Sequence, residues 1–348
     1  MIDPYNYVIN ATAAGNIVTA LGSNNLVINT NTLVAGYYDA SGDCPTCGDI
    51  QLNNAISYSG SNDRSLTFKA DSSIILNANI ESTGTGALDI ILWSDQQAKG
   101  GNGVGGLIYL ASGVELKSNG GNIILAGGAD DGSNGGTASD GIPDGYAWNK
   151  LSSAYGGVQL GPMGDSGATS INLLSSGGDI IIRGKTSDST GYPGFTSQGK
   201  IKIDSGAGSI TINGQSTSGH GTEFTYGATA QVAITSAKIS GTAIDITGVT
   251  SRDGYQGLWL TNSSGNVLIQ ATGGGAVNLT GTNSDTIGGD GFFLSSNGTV
   301  QILSQSGTIT LDGTGARYDI HSNYNGTSSL YVGNRKNDTT VNLSLIHI

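Results

Sequence analysis

Along this chain apolar and polar residues alternate for three to five positions, a Gly- or Asn-bearing turn intervenes, and the alternation starts again. Gly48-Asp49-Ile50-Gln51-Leu52, Gly121-Asn122-Ile123-Ile124-Leu125, Gly178-Asp179-Ile180-Ile181-Ile182, Gly208-Ser209-Ile210-Thr211-Ile212 and Gly307-Thr308-Ile309-Thr310-Leu311 are copies of one sentence. A period of two predicts strands, and β-branched residues are frequent at the inward positions. Strands this short cannot bury an apolar face alone, so many copies in a row predict an all-β solenoid in which each coil stacks on the last.

Expected strands include Leu26-Thr30, Asp49-Leu52, Leu66-Ala70, Ile74-Asn77, Leu88-Leu92, Ile123-Leu125, Ile180-Arg183, Lys200-Asp204, Val232-Thr235, Leu258-Thr261, Phe292-Leu294 and Leu330-Val332. No window shows a helical period. The connections are too short for βαβ crossovers, which need roughly a dozen residues. Two or three strands and about 20 to 25 residues per coil predict roughly 12 to 16 coils. Parallel stacking would set like residues above one another, so Asn53 and Asn77, in matching places of neighbouring units, should form an asparagine ladder.

Residues 1–342 read as one β-helix repeat domain, a fragment of a longer protein, because Met1-Ile2-Asp3-Pro4-Tyr5 does not begin a secretory signal. Residues 343–348 abandon the turn grammar and read as a non-native tail. Two stretches interrupt the rhythm, near 96–106 and 127–157. Insertions of that length leave a solenoid as loops, where recognition concentrates, so Asp140, Asp144, Trp148 and Tyr155 are the recognition candidates.

Composition narrows the choice. Glycine supplies 58 of 348 residues and proline only 5, as frequent turns in an ordered chain require. Charged residues are 11% and the net charge is -12, with no basic stripe, which argues against nucleic acid as a partner. No apolar run approaches the ~20 residues of a membrane helix. The uncharged polar coat suits a secreted or cell-surface protein. The two cysteines, Cys44 and Cys47, are the candidates for a small loop-stapling disulfide, which needs an oxidising compartment.

Catalytic signals are weak. No carboxylate pair stands out for glycoside hydrolysis, and His220, His321 and His347 are far apart in sequence and read as exposed turn residues. Calcium is the one cofactor with a trace: Asp130 and Asp131 in Gly127-Gly128-Ala129-Asp130-Asp131-Gly132, and Asp290 in Gly288-Gly289-Asp290-Gly291, resemble Gly/Asp calcium turns. They lack the nine-residue recurrence of calcium-loaded rolls, and turn chemistry accounts for them more simply.

The order of units Ile17-Val18-Thr19-Ala20-Leu21, Asn25-Leu26-Val27-Ile28-Asn29-Thr30, Gly48-Asp49-Ile50-Gln51-Leu52-Asn53-Asn54-Ala55-Ile56, Ser65-Leu66-Thr67-Phe68-Lys69-Ala70 and Ile74-Ile75-Leu76-Asn77-Ala78-Asn79-Ile80 resembles one family. It is similar to the filamentous-haemagglutinin and high-molecular-weight adhesin type of two-partner-secretion exoprotein, most closely over about residues 15 to 128. The resemblance implies a right-handed parallel β-helix, exported through an outer-membrane β-barrel transporter and displayed at the cell surface or released. Its implied partners are glycans or proteins on host or neighbouring cells. The rival expectation is a β-helical polysaccharide lyase or glycoside hydrolase.

Overall fold

The computed structural model describes residues 6–30, 48–96, 98, 106–149, 155–164, 170–187, 191–224, 231–262, 266–296, 299–324, 329–334 and 342–343. Cys44 and Cys47 lie outside the described residues, as do most of the 96–106 stretch, the end of the tail and His347.

Each coil visits three sheets in turn, and every pairing between coils is parallel. Among the described residues sheet A has 10 strands, from Asn6–Ile9 to Tyr318–Tyr324; sheet B has 11, from Leu26–Asn29 to Asn342–Leu343; sheet C has 9, from Ile56–Tyr58 to Ser329–Asn334. The fold is therefore a parallel β-helix with three strands per coil and about ten coils, fewer than the 12 to 16 expected. The excess length goes into connections. Equivalent positions in successive coils are 24 residues apart between Asn53 and Asn77, but 57 apart between Asn122 and Asp179.

One core runs the length of the stack, from Ile9 to Leu311. Inward positions align vertically, as in Ile50, Ile74, Ile108 and Val158 of sheet A, or Ile123, Ile180, Ile210 and Ile244 of sheet B. The turns stack as well. Asn77 Nδ2 donates to Asn53 Oδ1 at 2.9 Å, the expected asparagine ladder. The second residue of the strand entry builds another ladder: Asp89 Oδ1 accepts the Asn122 N–H, Asn122 Oδ1 that of Asp179, and Asp179 Oδ1 that of Ser209, at 2.7 to 2.8 Å. A buried serine column, Ser118, Ser175 and Ser205, caps the corner from sheet C to sheet B, each Oγ donating to the carbonyl three residues on.

One element departs from the sequence reading. Ala11–Leu21 is an α-helix, α1, not a strand unit, and it takes the place of a sheet C strand in the first coil. The Asn10 side chain caps it by accepting the Ala13 N–H at 3.0 Å, and the Gly22 N–H closes it on Val18 O. Ala14, Ile17 and Leu21, spaced three and four apart, are buried against the first sheet C strand, so α1 covers the apolar end of the stack. The β-branched run Ile17-Val18-Thr19 hid that period, and tertiary burial overrode its strand propensity.

Candidate functional site

The 127–157 excursion does not hang free. Its first part folds back over the outer face of sheet B, where Ile142 and Ile181 pack on a second small core of Ile91, Trp93, Ile124 and Ala126. Residues Ala147–Asn149 join sheet B as an extra strand, pairing with Gly184 to Thr186. Arg183 is buried beneath the excursion and clamps it, Nη1 donating to Pro143 O at 3.1 Å and Nη2 to Asn134 O at 3.3 Å. Burial lowers the Arg183 pKa from its ordinary value, while Tyr146 and Asp144 oppose the shift.

The carboxylates of this excursion serve the loop itself. Asp130 accepts from the N–H groups of Asp140 and Gly141, Asp131 from Ser133, Asp140 from Ile142, and buried Asp144 from Gly132 at 2.7 Å. These are turn bonds of the kind Asp makes with its own backbone neighbourhood. Among the described residues no three His, Cys, Asp or Glu side chains gather where they could hold a metal ion. Asp290 is wholly buried and engaged by the chain's own side chains: Arg317 grips both carboxylate oxygens at 2.8 and 2.7 Å, and His321 Nδ1 lies 3.1 Å from Oδ2.

The four recognition candidates do not converge. Asp140 is exposed and Asp144 buried on the sheet B side, and Trp148 donates from Nε1 to Ser187 Oγ with the Lys185 ammonium 4.3 Å above its ring. Tyr155 lies elsewhere, edge-on to Tyr109 at 5.2 Å on the outer face of sheet A.

That face of sheet A carries the densest chemistry in the described molecule. Its outward column runs through Gln159, Thr196, Glu223, Trp259, Phe293 and His321, one residue per coil in strict register. Its first two members are covered: Thr196 and Gln159 are fully buried, Gln159 Oε1 accepting the Gly156 N–H and its Nε2 donating to Gly161 O. From Glu223 onward the column is only partly buried. His220 lies beside it, its ring 4.1 Å from Trp259 and 4.9 Å from Tyr255, with Nδ1 accepting the Gln256 N–H. The ring contacts continue from Trp259 to Phe293 at 6.3 Å and from Phe293 to His321 at 4.7 Å.

Burial drives the titratable groups here toward neutrality. The Glu223 carboxyl is pushed up to about 8, and the His220 imidazole down to about 3. Among the described residues Glu223 has no hydrogen-bond partner, and the buried Trp259 Nε1 has none either. The two histidines thus correct the sequence reading: His220 is buried, and His321 is a strand residue within Tyr318–Tyr324.

Glu223, Trp259 and Phe293 drew no attention in the sequence because each is the middle of an ordinary alternating triplet. Their signal emerges only when Thr222-Glu223-Phe224, Leu258-Trp259-Leu260 and Phe292-Phe293-Leu294 are set one above another.

Compared with protein families, with curated proteins and with solved structures, the chain matches none of them. No described helix is long and apolar enough to cross a membrane.

Proposed function

We propose that this chain is a segment of a secreted or surface-displayed bacterial adhesin, a β-helical stalk that binds, or presents a binder of, glycans or proteins on other cells. One observation carries this reading: a single core and three parallel sheets continue through about ten coils, so the chain builds length and outer surface rather than an enclosed pocket. Only 11% of the residues are charged, so its polar residues are mostly uncharged, and the net charge is -12, which suits display in an extracellular medium. Export through an outer-membrane β-barrel transporter belongs to the same proposal. Stepwise burial of each new coil on the last would discourage backsliding.

The test is binding without turnover. Purified, fluorescently labelled chain should saturate the surface of epithelial or bacterial target cells in flow cytometry and release no sugar from polysaccharides. No saturable binding to any cell type would defeat the adhesin reading.

A second reading, a polysaccharide lyase or glycoside hydrolase, is favoured by one feature, the Glu223 carboxyl beside Trp259. An acid whose pKa is raised to about 8 suits proton donation to a leaving group near neutral pH. Release of reducing or unsaturated sugars that disappears in Glu223→Gln would establish it in place of adhesion.

A further inference from the structure

The aromatic column of sheet A does no work for the core, which the inward neighbours Leu258, Leu260, Phe292 and Leu294 already fill. Trp259 and Phe293 instead point outward in adjacent coils, about 4.8 Å apart along the axis as parallel strands are spaced, and retain partial exposure. Partly exposed rings in register along an outer face, with an unpartnered carboxyl beside them, are surfaces for amphipathic ligands. Gln159 and Thr196, the two members of the column before Glu223, are fully buried, so the partly exposed run of the face begins at Glu223.

We propose that the outer face of sheet A from Glu223 to His321 binds an uncharged polysaccharide chain lying along the helix axis, with Trp259 and Phe293 as stacking platforms and the Glu223 carboxyl as a hydrogen-bonding group at one end. This deepens the adhesin proposal and rests on it. Charge selects the ligand class. Asp290 is paired with Arg317, and burial shifts His220 and Glu223 toward their neutral forms, so none of these four groups presents an unpaired charge to an ionic ligand. The chain's net charge of -12 further disfavours acidic polymers. An extended peptide would need unpaired backbone, but each described sheet A strand here is paired on both sides, save the terminal Tyr318–Tyr324. Flat sugar rings, with C–H faces for the aromatics and hydroxyls for Glu223, satisfy both requirements. A linear polymer also matches a surface that repeats at the same step in each coil.

Native affinity electrophoresis of the full chain tests this, with hydroxyethylcellulose, galactomannan or polygalacturonate cast in the gel. At least one of the two uncharged polymers should retard the wild-type chain. Trp259→Ala and Phe293→Ala should each weaken the retardation at least ten-fold, while Trp259→Phe keeps most of it. Gln301→Ala, on the outer face of sheet C, should change nothing. Retardation by neither uncharged polymer, by polygalacturonate alone, or undiminished in an alanine variant of unaltered circular dichroism would overturn the proposal. Should Trp259→Ala fail to fold, Phe293→Ala and Trp259→Phe decide the matter on their own. Flow cytometry with the same variants separates the two proposals: cell binding that persists while polymer retardation is absent defeats the sugar face and leaves adhesion standing.

Discussion

Glu223 and His220 sit three residues apart in the same coil, and burial shifts both toward their neutral forms. Their effects on stability have opposite signs. Glu223, raised from 4.5 to about 8, holds its proton more tightly when folded, so its contribution is complete below 4.5 and is lost as pH rises through 8. His220, lowered from 6.5 to about 3, contributes fully above 6.5 and loses that contribution as pH falls toward 3. Glu223→Gln should therefore gain stability over the wild type between pH 5 and pH 9, by on the order of 2 kcal/mol once partial exposure is discounted. Urea denaturation at the two pH values measures this; parallel curves for the two proteins would refute it. Neither residue was legible as special in the sequence. Local alternation tells which residues face outward, while desolvation depends on what the neighbouring coils lay over them.

At the scale of elements, α1 and the excursion are additions to the repeat that the repeat itself does not encode. In α1, Gly15 is exposed and a Cβ there would meet nothing within 4 Å. Gly15→Ala should stabilise the chain by about 1 kcal/mol through helix propensity, and protect the amides of the first coil from hydrogen exchange. Unchanged exchange there would show that α1 is not a cap whose stability the first coil shares. The excursion depends on a different kind of contact, the buried Arg183 guanidinium gripping Pro143 O and Asn134 O. Arg183→Ala should raise proteinase K cleavage within residues 130–142 about ten-fold and leave the far-ultraviolet spectrum of the β-helix intact. Cleavage at the wild-type rate would mean that the Ile142 contact with the Trp93 and Ile124 cluster suffices to hold it. The sequence marks this stretch as an interruption, but not its destination, since Pro143 and Arg183 are 40 positions apart and meet only through stacking.

For the whole molecule, two glycine columns set the thickness of the lower coils. Gly214, Gly248 and Gly281 of sheet B stand in vertical register, facing Gly221, Gly257 and Gly291 where sheet A begins. A Cβ on Gly248 would lie 2.0 Å from Gly257 O, and one on Gly257 2.2 Å from the Thr282 N. The backbones touch, and no side chain fits between them. Gly248→Ala should cost about 2 to 3 kcal/mol, because rigid backbone on either side must move. It should also split the unfolding transition, since a weak rung in a one-dimensional stack uncouples the coils beside it. A single, unshifted calorimetric transition would contradict both statements.

The turn-and-strand repeat by itself determined a parallel stack: period-two alternation, glycine turns and matched Asn53 and Asn77 are local features, and they specify what one coil must do to bury its apolar face. Only the tertiary structure decided that three strands make a coil, that α1 closes one end and that the excursion returns to sheet B. It also decided that Glu223, Trp259 and Phe293 form one surface. Those outcomes depend on contacts between residues roughly 30 or more positions apart, across connections of unequal length. A sequence read along the chain states the period of a coil. The vertical neighbours of a residue exist only once the coils are stacked.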